Sequence, residues 1–493
     1  MNRSTPSPIT PGRHPAAIAI RGGVQTVSYR LLEKQVAGLA RRLDGSTLGL
    51  LVDNGPHWVT LDLAAQLSGA CCVPMPTYFT DAQLRHIVDK AGIDQLITDQ
   101  PARVAKLLES EPTEAIQFPE GRLASFQIAS QAARGCRDDV AKITFTSGTT
   151  GQPRGVRLRQ VAMNSVANSL IEVTAANEHD RSLCLLPLAT LLENIAGVYA
   201  PLIAGAEVCI PSTVDTGMRG ASGVDVQKLT ETLSRTQPTS IILVPQLLAA
   251  LVAAAESGWK VPSSLRMAAV GGAPVARQLL MRARGLGLPA FEGYGLSEAA
   301  SVVALNVSGA YRAGTVGKPL PHTEISIAED GEILVGGALF DGYIDERSSS
   351  QRSFATGDLG YLDAEGYLVL TGRKKSAYAT SFGRNVLPDW IEREISEEPG
   401  IDQIAVFGEA RPYNCAIVVT RTGRYDIVAA AIERANSRLP DYAQVRRFVL
   451  AHRPFTATGG ELTASGKLRR HFIWSHYCDA LESLYEEEVN AVS

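Results

Sequence analysis

Between residues 27 and 99 two kinds of apolar pattern alternate, and that alternation constrains the fold more than any other feature. "VSYRLLEKQVAGLARRL" (27–43), "WVTLDLAAQLSGA" (58–70) and "TDAQLRHIVDKAG" (80–92) carry apolar residues at helical spacing. Between and after them, "LGLLVD" (48–53), "CCVPMP" (71–76) and "DQLITD" (94–99) are short apolar runs that end in turn residues. A strand that is apolar at nearly every position must be covered on both faces. Interleaved with amphipathic helices, such strands predict a parallel sheet with helices on each side. The pattern resumes in "SLCLLPL", "AEVCIP", "TSIILVP", "LRMAAVGGAP" and "LPAFEGYG" (182–295).

Near residue 310 the texture changes. "GTVGKPLPHTEISIAEDGEILVGG" (314–337) and "TGDLGYLDAEGYLVLTGR" (356–373) are short alternating runs broken at "EDGE" and "AEGY", which predicts antiparallel hairpins. After Arg373 comes helix "PDWIEREI", strands "QIAVFGE" and "CAIVVT", and helix "YDIVAAAIERANSRL". This helix–hairpin–helix piece, at roughly 120 residues, is large enough to fold alone. The expected fold class is therefore α/β. A large N-terminal domain (1–374) combines parallel and mixed sheets, helices and a β-hairpin-rich segment, and a small α+β C-terminal domain spans 375–493.

Composition excludes several classes. Lys plus Arg is 47 against 51 Asp plus Glu, a net charge of −4, so no general basic field is available for nucleic acid. Seven scattered cysteines without a C-x-x-C pair read as reduced thiols, and eight histidines show no metal-binding spacing. "MNRSTPSPITPGRH" has no apolar signal-peptide core. The most apolar stretches are broken by Pro245 and Gln246 or by Glu193 and Asn194, so no membrane span is expected. A cytoplasmic protein is the expectation.

"TFTSGTTGQPRGV" (144–156) has too many glycines and hydroxyls for a helix or strand interior, and it follows an apolar strand directly. Backbone N–H groups and hydroxyls in such a loop can converge on phosphate oxygens; a solvated turn would look the same. It is neither a Walker A loop nor G-x-G-x-x-G. The loop alone leaves both readings open.

In company it becomes specific. "TSGTTGQPRGV" resembles the phosphate-loop signature of the adenylate-forming superfamily, which includes acyl-CoA synthetases, peptide-synthetase adenylation domains and firefly luciferase. "GGAP" (271–274), "GYGLSE" (293–298), "TGDLGYLDAEGYLVLTGR" (356–373) and "LTASGKLRR" (462–470) resemble its further motifs, in the family's order. The resemblance implies a large N-terminal domain followed by a small mobile one.

It also implies roles. Thr146, Ser147, Gly148, Thr149, Thr150 and Gly151 would cradle the phosphates of ATP, with Arg154 where the family usually has lysine. Tyr294 would stack on adenine, within a nucleotide-binding strip that also holds Glu292, Gly293 and Gly295. Gly271, Gly272 and Ala273 would form the facing wall. Ser297, where threonine is commoner, would offer its hydroxyl to phosphate, and Glu298 would hold Mg²⁺, a cation that prefers oxygen ligands. Asp358 would accept both ribose hydroxyls and Arg373 would contact ribose and phosphate. Lys375 would be the hinge, and Lys467 would bridge the substrate carboxylate and the α-phosphate. Each has a plainer reading: Tyr294 as core packing, Asp358 as a turn acid, Lys467 as a surface cation. "GLSEA" also resembles a nucleophile elbow, but the second glycine of G-x-S-x-G is missing.

"LLPLATLLENIAG" (185–197) resembles the acyl-pocket motif L-P-L-x-H-x-x-E of long-chain acyl-CoA synthetases. Glu193 matches, Leu192 precedes it, and Thr190 replaces the histidine. No aspartate stands nearby for a substrate amine, so an apolar acid is expected. Gly383 in "TSFGRN" (380–385) would let a thiol arm pass close to the backbone. The resemblance thus implies an AMP-forming acid–thiol ligase using ATP, Mg²⁺ and CoA. The alternatives are a ligase loading the phosphopantetheine of an acyl carrier protein, an amine-acylating enzyme, or a non-catalytic nucleotide-binding protein.

Overall fold

The computed structural model describes residues 15–23, 25–43, 46–119, 121–128, 139–146, 153–219, 223–346, 352–381, 385–463 and 466–489. Local chemistry starts the first helices where the sequence places them. The Ser28 side chain accepts from the Leu31 amide and starts Tyr29–Ala40, which buries Tyr29, Leu32, Val36 and Ala40 along one face. Thr80 and Gln83 form a reciprocal capping box that starts Asp81–Ala91, and Gly92, at φ 64°, ends it.

Among the described residues, two large mixed sheets form the frame. A nine-stranded sheet runs in the order Lys318–Pro319, Ser301–Leu305, Ala290–Leu296, Met267–Val270, Ser240–Leu243, Arg181–Leu183, Glu207–Cys209, Ile18–Gly22, Gln25–Ser28. Its interior is parallel, and antiparallel strands close each end. A seven-stranded sheet runs Glu114–Phe118, Gly121–Gln127, Gln95–Thr98, Thr47–Leu51, Cys71–Pro74, Lys142–Thr146, Arg154–Leu158. Its centre is parallel too. Helices cover both, and one large core cluster joins residues of the two sheets, from Ile20 through Leu48 to Phe291. The hairpin-rich segment is a four-stranded antiparallel sheet of Thr323–Ile327, Glu332–Gly337, Ser353–Leu362 and Leu368–Arg373.

The C-terminal piece contains more than a hairpin between helices. Val445–Leu450 adds a third strand, parallel to Asn414–Val419, and Arg470–Val489 packs a long helix against it. No described helix is long and apolar enough to cross a membrane. No two of the described cysteines are joined by a disulfide.

One feature of the interior is polar. Lys142, the first residue of the strand that enters the phosphate loop, is fully buried. Its ammonium donates to Asp62 Oδ2 (3.1 Å), the Tyr199 hydroxyl (2.7 Å) and Asn194 Oδ1, while the Tyr199 hydroxyl donates to Asp62 Oδ2 (2.5 Å). Asp62 lies on the helix Pro56–Ser68, whereas Asn194 and Tyr199 lie on a π-helical stretch, Glu193–Tyr199. A buried charge is tolerable only when paired and hydrogen-bonded, and this cluster meets both conditions. It fastens the entry of the loop to two helices.

Candidate active site

Each sheet delivers part of one site. Lys142–Thr146 and Arg154–Leu158 form an antiparallel hairpin, with Thr146 opposite Arg154. Ser147, Gly148, Thr149, Thr150 and Gly151, between these strands, lie outside the described residues, as does Gly383. Thr146 Oγ1 reaches the Arg154 carbonyl at 3.5 Å. Arg154 pairs with Glu346 and lies over the ring of Tyr343, its guanidinium carbon 3.3 Å from the centroid.

Strand Met267–Val270 ends in Gly271 and Gly272, then Ala273; Gly272 takes φ +81°, a conformation that favours glycine. Beside it, Ala290–Leu296 carries Glu292, Gly293, Tyr294 and Gly295 and pairs with Ser301–Leu305, with a register shift between Tyr294 and Gly295. A Cβ on Gly295 would run into the Ser301 carbonyl, so glycine is required by the close backbone approach. Burial pushes the Glu292 carboxyl up to about 7, against the opposing Arg393 charge and the Val275 amide. A single 3₁₀ turn, Ser297–Ala299, then presents Ser297 and Glu298. The Tyr343 hydroxyl donates to Glu298 Oε1 at 2.7 Å, and the Phe340 amide donates to the Glu298 carbonyl at 2.8 Å.

The antiparallel pairing of Ser353–Leu362 with Leu368–Arg373 sets Asp358 directly opposite Arg373. Asp358 is buried; its Oδ1 meets Arg373 Nε at 2.6 Å and its Oδ2 accepts from the Tyr294 hydroxyl at 2.6 Å. Burial raises the Asp358 pKa, while Arg373, the Tyr294 hydroxyl and Lys467 draw it back. Tyr294, Asp358 and Arg373 thus form one connected group, drawn from two sheets.

Lys467 approaches this group from the C-terminal piece. A tight turn carries it: the Thr463 amide donates to the Lys467 carbonyl (2.8 Å), the Lys467 amide to Thr463 Oγ1 (3.0 Å), and Gly466 takes φ +79°. That turn lies against Gln246 of the helix Pro245–Glu256, so close that a Cβ on Gly466 would meet the Gln246 side chain. Desolvation and the Arg373 charge lower the Lys467 pKa; Asp358, Asp389 and Glu298 raise it. The residue is nonetheless exposed, so the cleft crowds the ammonium without sealing it. Arg470, at the start of the following helix, pairs with Asp389 and with Glu392 Oε2 (2.6 Å).

Lys375 falls in a 3₁₀ turn, Lys374–Ser376, between the four-stranded sheet and the C-terminal piece. Its neighbour Lys374 pairs with Asp330 (2.5 Å) and Glu332 (2.8 Å), and Glu332 Oε1 also accepts from the Gly357 amide (2.8 Å). At the acyl-pocket motif, Leu192 lies 3.9 Å from where a Gly271 Cβ would stand, and the Thr190 side chain offsets part of the burial that raises the Tyr78 pKa. Glu193 is fully buried, its Oε2 accepting from the Leu186 amide at 3.2 Å. Burial pushes its carboxyl up to about 8 despite hydrogen bonds from Leu186, Cys184 and Leu185. Glu193 is thus sealed in the interior beside Leu186, whereas Leu192 and Thr190 are half-buried.

Tyr343, Gln246, Lys374 and Glu332 escape a reading of the sequence. Each acts through a contact between segments distant in the chain, and none belongs to a Gly- or hydroxyl-rich run.

A two-sheet nucleotide-binding body with a smaller C-terminal domain is the class these elements define. The chain belongs to the AMP-binding enzyme family: the family profile of that description matches residues 9–344, and the AMP-binding enzyme C-terminal domain matches 376–489. The chain is similar to the long-chain-fatty-acid–CoA ligase FadD15 of Mycobacterium bovis, 27% identical over 98% of this chain and 99% of the relative. It is 31% identical to the 2-succinylbenzoate–CoA ligase of Enterococcus faecalis, over 68% of this chain and 69% of that one. In fold it is similar to the anthranilate CoA ligase AuaEII in complex with anthranoyl-AMP, with a TM-score of 0.77 at 20% identity, over 93% of this chain and 94% of that one. The amide bond synthetase McbA from Marinactinospora thermotolerans also shares the fold, with a TM-score of 0.77 at 24% identity, over 94% of this chain and 97% of that one.

Proposed function

We propose that the chain is an AMP-forming acid–thiol ligase that joins an apolar carboxylic acid, fatty or aromatic, to CoA through an acyl-AMP intermediate. One observation carries this reading: Lys467, on the C-terminal piece, feels the charges of Asp358, Arg373 and Glu298 of the large N-terminal domain, and its neighbour Gly466 lies against Gln246 of that domain. A surface cation would need none of that company.

In the first half-reaction the substrate carboxylate oxygen attacks the α-phosphorus of ATP. The bond from that phosphorus to the bridging oxygen breaks, and pyrophosphate leaves. Two anions must approach, and an ammonium set between them stabilises the charge that develops in the transition state. Lys467 is assigned that task. Asp358 would take the ribose hydroxyls, Tyr294 and the Gly271–Ala273 segment the adenine, and Thr146, Arg154 and the loop between them the phosphates.

Glu298 suits Mg²⁺ as a single carboxylate acting together with nucleotide oxygens, a donor set this ion accepts. Among the described residues there is no cluster of three or more His, Cys, Asp or Glu that would instead form a protein-only site. When bound, Mg²⁺ would neutralise triphosphate charge. In the second half-reaction a thiol sulfur attacks the acyl carbonyl, the bond to the AMP oxygen breaks, and the thiol proton passes to solvent. The domain boundary at 374/375 and the hinge at Lys375 belong to this reading, since a rotation there would exchange Lys467 for the "TSFGRN" segment.

The apolar substrate class is supported by Leu192 beside the nucleotide wall and by the acids named in the relatives. Pyrophosphate release measured across fatty, aryl and amino acids tests the proposal, with and without CoA. Phosphopantetheine carrier proteins and amines serve as further acceptor arms. Release stimulated by apolar acids, with thioester formed only when CoA is added, is the expected result. Absence of carboxylate-stimulated release across the panel would overturn it.

A further inference from the structure

The segment Phe340–Ile344 is built into the molecule from two sides. On one side it pairs with the strand that leaves the phosphate loop. The Ile344 amide donates to the Gly155 carbonyl (2.9 Å), the Arg157 amide to Gly342 (3.1 Å) and the Asp341 amide to Arg157 (2.8 Å). On the other side it grips Glu298 twice, through the Phe340 amide and the Tyr343 hydroxyl. Gly342, at φ +91°, permits the turn that sends Tyr343 toward Glu298.

Packing alone would be served by phenylalanine at 343. The half-buried tyrosine instead spends its hydroxyl on a carboxylate, a charge-assisted bond roughly twice as strong as a neutral one. Arg154 lies flat on the same ring, and its outer nitrogen pairs with Glu346. A planar guanidinium can stack and pair at once, and an ammonium on a flexible stem cannot match that geometry. The departure from the usual lysine at this position thus coincides with a contact that favours arginine.

We infer that Tyr343 is a positioning residue that aims the Glu298 carboxylate at nucleotide-bound Mg²⁺, and that Arg154, stacked on its ring, ties that aim to the end of the phosphate loop. The inference rests on the proposed role of Glu298.

Calorimetric titration of the full chain with α,β-methylene-ATP, with and without Mg²⁺, separates the two ideas, because this nucleotide cannot be turned over at the α-phosphate. The wild type is expected to bind more tightly with Mg²⁺. Tyr343→Phe keeps the ring and the stack but loses the hydroxyl. Its Mg²⁺-dependent gain should fall about tenfold, as for a lost hydrogen bond to a charged group, with Mg²⁺-free affinity and Tm unchanged. Arg154→Lys should shift the gain in the same direction by less. A gain equal to wild type in Tyr343→Phe, or equal losses with and without Mg²⁺, would overturn the inference. If Tyr343→Phe lowers Tm, the same titration at a temperature where both proteins are fully folded carries the comparison. A wild type that binds the nucleotide but gains nothing from Mg²⁺ would remove Glu298's role and this inference together. A wild type that binds no nucleotide would remove the proposed function itself.

Discussion

Lys467 is held opposite Thr463 by backbone groups and the Thr463 hydroxyl, so its side chain can be cut back without breaking those bonds. Lys467→Ala should therefore fold normally and lose about 100- to 1000-fold in acid-dependent pyrophosphate exchange, the range seen when one transition-state donor is removed. It should still convert preformed acyl-AMP and thiol to thioester. Equal loss in both half-reactions would contradict the role. Glu193 gives a residue-scale prediction of another kind. Its folded carboxyl is raised from 4.5 to about 8, so between those values the folded protein keeps a proton that the unfolded chain releases. Stability should then decline as pH rises through that window, with the full cost reached above about 8. Glu193→Gln, neutral and similar in shape, should flatten that decline. Chemical denaturation at pH 6 and at pH 9 reads the difference, which should favour the variant at the higher pH.

At the scale of elements, the buried Lys142 cluster governs how the phosphate loop is entered. Lys142→Met would leave Asp62 buried without its cation, a change that costs about 3–5 kcal/mol in comparable settings. Adding Asp62→Leu to that variant should recover most of the loss in denaturant unfolding. No recovery would show that Lys142 serves by shape and not by charge. The same cluster joins this strand to the π-helical stretch Glu193–Tyr199, which begins within the acyl-pocket motif. The segments assigned to nucleotide and to acid thus share one buried support.

For the whole molecule, the proposed thiol transfer after adenylation would need the C-terminal piece to move, since Lys467 stands within reach of the Asp358 and Arg373 charges. Lys375→Pro fixes one backbone torsion in the connecting turn and should slow thioester formation while sparing pyrophosphate exchange. Unaltered thioester kinetics would count against rotation at this residue. Much of this architecture could be read from the chain, because buried strands and amphipathic helices have distinct periods. Thr47–Leu51, Cys71–Pro74 and Gln95–Thr98 lie where apolar runs predict strands. Val445–Leu450 was harder to see: its "VRRFVL" carries two arginines in succession, which obscures the apolar face. The motifs named Asp358, Arg373 and Lys467 as candidates; the structure pairs Asp358 with Arg373 and puts Lys467 within reach of their charges. The contacts between them and their supports depend on chain crossings that no local pattern encodes.

One further consequence follows from Glu332. Its two carboxylate oxygens face different ways, one taking the Lys374 ammonium at the junction and the other the Gly357 amide just ahead of Asp358. Any swing of the small domain that displaces Lys374 would therefore tug on the peptide that presents Asp358, the proposed ribose acceptor. Leverage applied at the swivel would loosen the grip on spent AMP in the same stroke, so that product escape and domain travel would share a single mechanical cause.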